Sequence, residues 1–254
     1  MEQKALLRAI RKAPADLTLR LVYADWLDEH DDPLAAYVRA ECDLLAAEPG
    51  GPEWRAAIDR LIAVTRKAKT NLGGWEYADD IARLRARSGR RGSSCNLLRA
   101  PPDELAVLRF EQRHRITLPG EYRAFLLRLG NGWAEPNRNG ICRFDPAGNI
   151  PTLTKPFPHS AADAARFLAE FKASLSPDGY DPPEGAEDRE YTDKGCKCIA
   201  EFGCGNGALL VVRGELRGQV WSVGDSYVPW ADDTFTRPLG FFEWFEAIDE
   251  GPTW

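Results

Sequence analysis

Two segments that begin 89 positions apart, at Leu118 and Gly207, constrain this chain more than any other part of it. In the first, Leu118-Pro119 opens a helix, and Tyr122, Phe125, Leu126 and Leu129 follow at i, i+3, i+4 and i+7, one apolar stripe of a 3.6-residue period. Gly130 is placed to take the left-handed C-cap conformation, and Asn131-Gly132 turns the chain toward Trp133. In the second, Ala208–Arg213 and Gln219–Val223 read as strands joined by Gly214–Gly218, and they are apolar enough to be buried. A capped helix and a buried hairpin in one segment predict an α+β module. Neither holds an obvious catalytic group.

The chain before these segments is helical. Leu6, Leu7 and Ile10 share a face that ends at Pro14. Asp16 is placed to cap a helix over 17–30, because a short carboxylate accepts the free N–H groups of a first turn. Asp32-Pro33 starts a third helix, with Leu34, Tyr37, Val38, Cys42 and Leu45 at helical spacing. After Pro49–Pro52, the residues Trp54, Ala57, Ile58, Leu61, Thr65 and Ala68 form a fourth stripe, and Ala78, Ile81, Ala82 and Leu84 a fifth. The Gly- and Ser-rich run from Ser88 to Ser94 is read as a connector. It divides the chain into residues 1–94, helical with a basic linker, and 95–254.

Charge separates the same two parts. Residues 1–100 hold 17 Lys/Arg against 15 Asp/Glu, whereas residues 101–254 hold 16 against 24. An acidic second half disfavours a phosphate-bearing partner and suits a basic one. The arginines at 83, 85, 87, 90 and 91 lack the aromatic interleaving of an RNA-binding surface and fit a helix C-terminus. No nucleic acid is therefore expected. The longest aliphatic run, Ala208–Val212, is far shorter than the ~20 residues of a membrane span. With no secretory signal at the N-terminus, a cytoplasmic setting with reduced thiols is expected for the six cysteines.

Two metal readings compete with blander ones. Cys196, Cys198 and Cys204 offer three thiolates, but without the paired Cys-x2–4-Cys spacing of common zinc sites, so buried thiols are expected. The acids of Asp25–Asp32 surround His30 but scatter around a helix end, where a solvated terminus and a cap account for them. No metal and no cofactor is assigned.

Residues 3–47 carry Leu19-Arg-Leu-Val-Tyr-Ala-Asp-Trp-Leu-Asp-Glu-His30 followed by Tyr37-Val-Arg39, and this string resembles a short bacterial repeat-companion domain. The resemblance brings no chemistry with it. In the second half, a helix over Val107, Phe110 and His114 precedes the Leu118 helix. Phe167, Leu168, Phe171 and Leu175 mark a helix after Ser160, and the breaker-rich stretch 176–195 reads as a long loop. Cys196–Phe202 reads as a strand, Asn206-Gly207 as a turn, and Phe241, Trp244, Phe245 and Ile248 as a closing helix. The residues Phe110-Glu111, Ile116–Pro119, Tyr122, Phe125-Leu126, Asn131-Gly132, Leu209–Val212, Gly218–Trp221 and Phe242–Phe245 together resemble the SUKH superfamily, of Smi/Knr type, over about residues 101–250.

That resemblance implies a curved antiparallel or mixed sheet flanked by helices, following an all-helical N-terminal part. It also implies a non-catalytic protein-binding module, of which bacterial immunity proteins that neutralise a cognate toxin, such as a basic nuclease, are the leading kind. A regulatory or defence-associated scaffold is the alternative, and a hydrolase a more distant one. A toxin or regulatory protein is the partner expected on this reading, with the oligomeric state open. The candidate contact residues are Asp225, Tyr227, Trp230, Asp232 and Asp233, where a Pro-broken loop sets two aromatic rings among carboxylates that would steer a basic partner. No phosphate loop, Ser elbow or His-Glu-x-x-His occurs, and none of His30, His114 and His159 neighbours a nucleophile in sequence.

Overall fold

A computed structural model describes residues 2–87, 98–132, 140–176, 179–180, 191–224 and 226–250. The Ser88–Ser94 connector, Cys95, Trp133, Asp225 and most of the 176–195 loop lie outside the described residues.

The first half is built of α1 (Glu2–Lys12), α2 (Leu17–Glu29), α3 (Leu34–Ala46), α4 (Pro52–Ala68) and α5 (Ala78–Arg87). The starts of α2 and α3 follow from local chemistry: Asp16 accepts from the Thr18 N–H, and Asp32 from the Leu34 N–H at 2.9 Å. The apolar stripes of α1–α4 close on one core, in which Ile10, Leu27, Tyr37, Trp54 and Ile58 are almost wholly buried. Helix α5 instead turns Ile81 and Leu84 into the larger core of the second half.

The second half adds α6 (Glu104–His114), α7 (Gly120–Arg128), α8 (Ala161–Ala173) and α9 (Phe241–Glu250). Its main sheet has the order β1 (Gly140–Ile141), β4 (Cys196–Gly203), β5 (Asn206–Val211) and β6 (Val220–Val223), and every neighbouring pair is antiparallel. A two-residue hairpin, β2 (Leu175–Ser176) and β3 (Gly179–Tyr180), forms a separate ribbon. The chain is thus α+β, with an open sheet rather than a barrel. Strand alternation distributes the two faces. Ala208, Leu210 and Val220 point to a core with α6, α7 and α9, whereas Leu209, Val211 and Trp221 meet Phe157 and Phe167 under α8. Helix α8 begins with a reciprocal capping box between Ser160 and Asp163.

Two local expectations change. Gly130 is not the left-handed residue after α7; Gly132 is, with φ 62°. Gly130 is required for closeness instead, since a Cβ there would lie 2.7 Å from the Arg99 carbonyl oxygen and from Leu98 Cβ. The β4–β5 turn is Cys204-Gly205 rather than Asn206-Gly207, because Gly203 pairs with Asn206 and leaves a two-residue loop. Both loop residues have positive φ, 52° and 84°, as a type I′ turn requires.

Helix α6 joins the halves. Its Leu108 enters the N-terminal core while Val107 and Phe110 enter the sheet core. Beside it lies a buried polar cluster drawn from six segments. The Arg123 guanidinium donates to Tyr37 Oη (2.7 Å), Glu41 Oε1 (3.2 Å) and Glu104 Oε1 (3.1 Å), and its Nε lies 3.5 Å from Glu111. Arg20 pairs with Glu41 at 3.5 Å and Glu76 at 3.3 Å. Trp75 Nε1 donates to Glu41, and the Leu72 and Gly73 N–H groups donate to Glu104. Two arginines thus face four carboxylates, all six side chains buried, beside a cavity of about 140 Å³ that Arg20, Glu41, Glu76 and Arg123 help to line. Burial there, with Glu76 nearby, pushes the Glu41 carboxyl up to about 7, and burial also raises that of Glu111.

Candidate partner-binding face

The segment 226–240, whose part up to Thr234 reads from sequence as a Pro-broken loop with Trp230 either exposed or tucked beneath it, runs back along the open edge of β6. Ser222 N–H donates to the Val228 carbonyl at 2.8 Å, Trp230 N–H to Val220 at 2.9 Å, and Val220 N–H to Leu239 at 3.2 Å. Trp221 bridges to Pro229, and Ala231 to Pro238. An uncovered edge strand would present a row of unpaired backbone groups, and this return fills it.

This placement decides the fate of the two candidate contact rings. Tyr227 and Trp230 are only 8% and 9% accessible. Tyr227 packs in the core under α8, and its hydroxyl donates to the Thr192 carbonyl at 3.1 Å. Trp230 sits in the opposite core, edge-on to Trp244 at 6.3 Å. Extracting either ring to meet a partner would forfeit roughly 1.5–3 kcal/mol of apolar burial, more than a single surface contact ordinarily returns. They therefore serve as supports. Each carries an exposed ring that the periodicity did not single out: Tyr191, 52% accessible, lies edge-on to Tyr227 at 5.7 Å, and Phe202, 36% accessible, tilts against Trp230 at 6.2 Å.

The acids divide likewise. Asp232 is half-buried and organises its own loop by accepting from the Thr236 N–H at 2.9 Å and the Arg237 N–H at 3.3 Å, bonds that lower its carboxyl below the usual range. Asp233 is exposed beside it. Arg237 forms a two-pronged pair with Glu243, both contacts at 2.8 Å, which anchors the loop to the start of α9. Asp225 is not among the described residues. The arginines of α5 are also engaged: Arg83 pairs with Glu246 at 2.8 Å, Arg87 with Asp249 at 3.4 Å, and Arg85 donates to the Arg128 carbonyl.

Among the described residues, none of the three histidines is paired with a nucleophile. His30 stacks on Trp26 and bonds its carbonyl at 2.7 Å. His114 is buried with Nε2 3.0 Å from the Gly148 carbonyl, and His159 stacks on Trp221 at 5.4 Å. Among the described residues, no histidine ring is hydrogen-bonded to a hydroxyl or thiol. No helix among them is long and apolar enough to cross a membrane.

The arrangement of α6, α7, the antiparallel sheet and the aromatic α9 agrees with a match of residues 101–245 to the family model described as SMI1 / KNR4 family (SUKH-1). The chain belongs to the SUKH-1 family. That match spans more than half of the sequence and stops short of residues 3–47, whose likeness to the repeat-companion domain rests on their own string. No curated protein and no solved structure matches the chain. SUKH-1 membership accounts for the sheet and its flanking helices, and it fits a protein-binding role.

One further concavity lies outside the aromatic face of this SUKH-1 chain. A groove of about 270 Å³ opens between the end of α3 and the β5–β6 connection, lined by Leu44, Leu45, Ile116, Val212 and Arg217. Arg217 spans it and donates to the Thr117 and Leu118 carbonyls at 3.0 and 2.7 Å.

Proposed function

We infer that this chain is an immunity-type protein that binds a basic toxin and blocks it, without catalysing a reaction. SUKH-1 membership supports a protein partner, and the acidic balance of residues 101–254 supports a basic one. The observation that carries the reading is the exposed ring of Tyr191 seated on buried Tyr227; Phe202, seated on Trp230 over the opposite core, is a separate exposed ring and a second point of contact. Aromatic side chains held on a rigid platform contribute contact area at little entropic cost, and that is the usual make-up of an interface hot spot. The sequence-derived set keeps a place in this reading with changed roles. Tyr227 and Trp230 hold the contact rings, Asp232 shapes the loop, and Asp233, with Asp225, supplies steering charge.

The test is a search of the neighbouring genes for a basic toxin, followed by calorimetry of the purified full chain against any such toxin at two salt concentrations. Tyr191→Ala and Phe202→Ala are expected to cost about 2 kcal/mol each, close to thirtyfold in Kd. Asp233→Lys is expected to slow association and reduce its salt dependence. Unchanged affinity in all three variants sinks the proposed face, and the absence of any toxin encoded nearby counts against the immunity reading itself. The scaffold reading draws on the groove between α3 and the β5–β6 connection, which offers a second surface. It predicts a partner whose binding fails in Leu45→Glu and survives Tyr191→Ala.

A further inference from the structure

The edge of the sheet brings together a set of donor atoms that the sequence does not announce. Cys142 follows β1 directly and gives its N–H to the Ile199 carbonyl of β4 at 2.8 Å. Its sulfur lies 3.7 Å from that of Cys198. A carboxylate oxygen of Glu201 joins them, and all three donor atoms lie within 4.8 Å of one another. Cys196 and Cys204, the other two thiols of the spacing noted above, are elsewhere: the first is buried under α8, and the second sits in the hairpin turn.

A β-bulge makes this convergence possible. Cys198 and Glu201 are three residues apart, and in a regular strand they would point to opposite faces. The register of β4 against β5 slips between Cys198 and Ala200, so Ile199 and Ala200 both enter the same core. That slip returns Glu201 to the side of Cys198. Bulges of this kind re-aim side chains at the rims of sheets.

The separation of the sulfurs is itself informative. Two thiolates bound to one zinc ion at ~2.3 Å, with a tetrahedral angle between them, stand about 3.8 Å apart. The observed 3.7 Å, the length of a thiol–thiol hydrogen bond here, matches that edge closely enough for an ion to take the place of the proton with little movement. Two sulfurs and one carboxylate oxygen make a donor set suited to zinc and its thiophilic relatives, and not to calcium or magnesium, which take oxygen donors. Two thiolates and a carboxylate outweigh a divalent ion by one negative charge. Lys197, next to Cys198 in the chain, is buried and donates to the Cys198 carbonyl at 3.4 Å, which places one cationic side chain beside the cluster.

From this geometry we propose that Cys142, Cys198 and Glu201 form a binding site for a thiophilic divalent metal ion, zinc foremost, with water as the fourth ligand. The ion would tie β1, a two-residue strand at the edge of the sheet, to β4. The site is independent of the toxin-binding reading, and no residue used to test that reading is a ligand.

Cobalt(II) is the probe. The full chain, reduced and with its free thiols counted, is titrated with cobalt and then with zinc. One equivalent of cobalt is expected to produce thiolate-to-cobalt charge-transfer absorption with the visible bands of a tetrahedral ion, and zinc is expected to displace it. Cys142→Ser and Cys198→Ser each abolish the signal, Glu201→Gln weakens binding by about tenfold, and Cys204→Ser leaves it intact. Zinc also raises the Tm of the parent chain and not that of Cys198→Ala. Cys198 is solvent-accessible, so Cys198→Ala keeps the fold and carries the test should Cys142→Ser fail to fold. The proposal is overturned if the reduced chain gives no charge-transfer band, meaning a thiol–thiol contact only, or if the band persists in both the Cys198→Ser and Cys198→Ala variants.

Discussion

Replacing Arg123 with Met probes the junction between the halves most directly. Met keeps the aliphatic stem but removes a guanidinium that bonds Tyr37, Glu41 and Glu104 and lies beside Glu111. Glu41 and Glu76 then keep Arg20, Glu111 keeps among cations only the electrostatic influence of Arg217, and Glu104 loses its ion pair; removing one partner from a buried ionic cluster costs about 3–5 kcal/mol. That is a third or more of the stability of an ordinary domain. The pH dependence gives the reasoning a signature. Glu41 in the folded chain has its carboxyl raised from 4.5 to about 7, so its contribution is fully present below 4.5 and is lost as pH rises through 7. At one end of that window against the other, the loss amounts to about 3 kcal/mol in the parent chain. Without Arg123 the folded carboxyls rise further, so ionising them costs still more. The variant should therefore be close to the parent at pH 5 and farthest below it at pH 8. Denaturant unfolding followed by tryptophan fluorescence at pH 5, 6.5 and 8 measures this. A deficit under about 1 kcal/mol at pH 8, or one of equal size at all three pH values, would refute the view that Arg123 neutralises this cluster.

Two substitutions address the backbone. Gly130→Ala should destabilise by about 1–3 kcal/mol although φ there is unremarkable, because its Cβ meets Arg99 and Leu98 at 2.7 Å; thermal melts comparing it with Ala at an exposed helical position give the difference. Cys204→Asn should raise stability by about 1 kcal/mol, since Asn tolerates the left-handed conformation that Cys204 is held in at φ 52° and Asn-Gly is the preferred type I′ pair. A fall in Tm for that variant would show that the Cys204 side chain makes a contribution the turn geometry does not explain.

The helices were legible because periodicity and capping are local. Asp16 and Asp32 announce their helix starts through a side chain and an N–H two positions away, and both make that bond; Asp103 and Ser160 cap α6 and α8 in the same way, although neither is read as a cap from sequence. The buried cluster was not legible. Glu41, Glu104, Glu111 and Arg123 each occupy a helix, and charged residues at such positions ordinarily face water. What buries them is the convergence of α3, α6 and α7, a matter of spatial arrangement with no counterpart in spacing along the chain. The same holds for Tyr227 and Trp230. Proline and carboxylates around them have the composition of a loop, but the open edge of β6 has backbone groups to satisfy, and the segment is drawn in to satisfy them.

By itself the amino-acid sequence determined the order of the main helices and of the late strands, the helical N-terminal half, the SUKH-1 character of residues 101–245 and the acidic balance of residues 101–254. These depend on local periodicity, local capping and total charge, none of which needs a third dimension. Only the tertiary structure decided which aromatic rings meet solvent, which acids are neutralised in the interior, and that Cys198 stands beside Cys142 rather than with Cys196 and Cys204. Each of those outcomes turns on a contact between segments remote in sequence or on a one-residue slip in strand register, and a linear pattern holds neither.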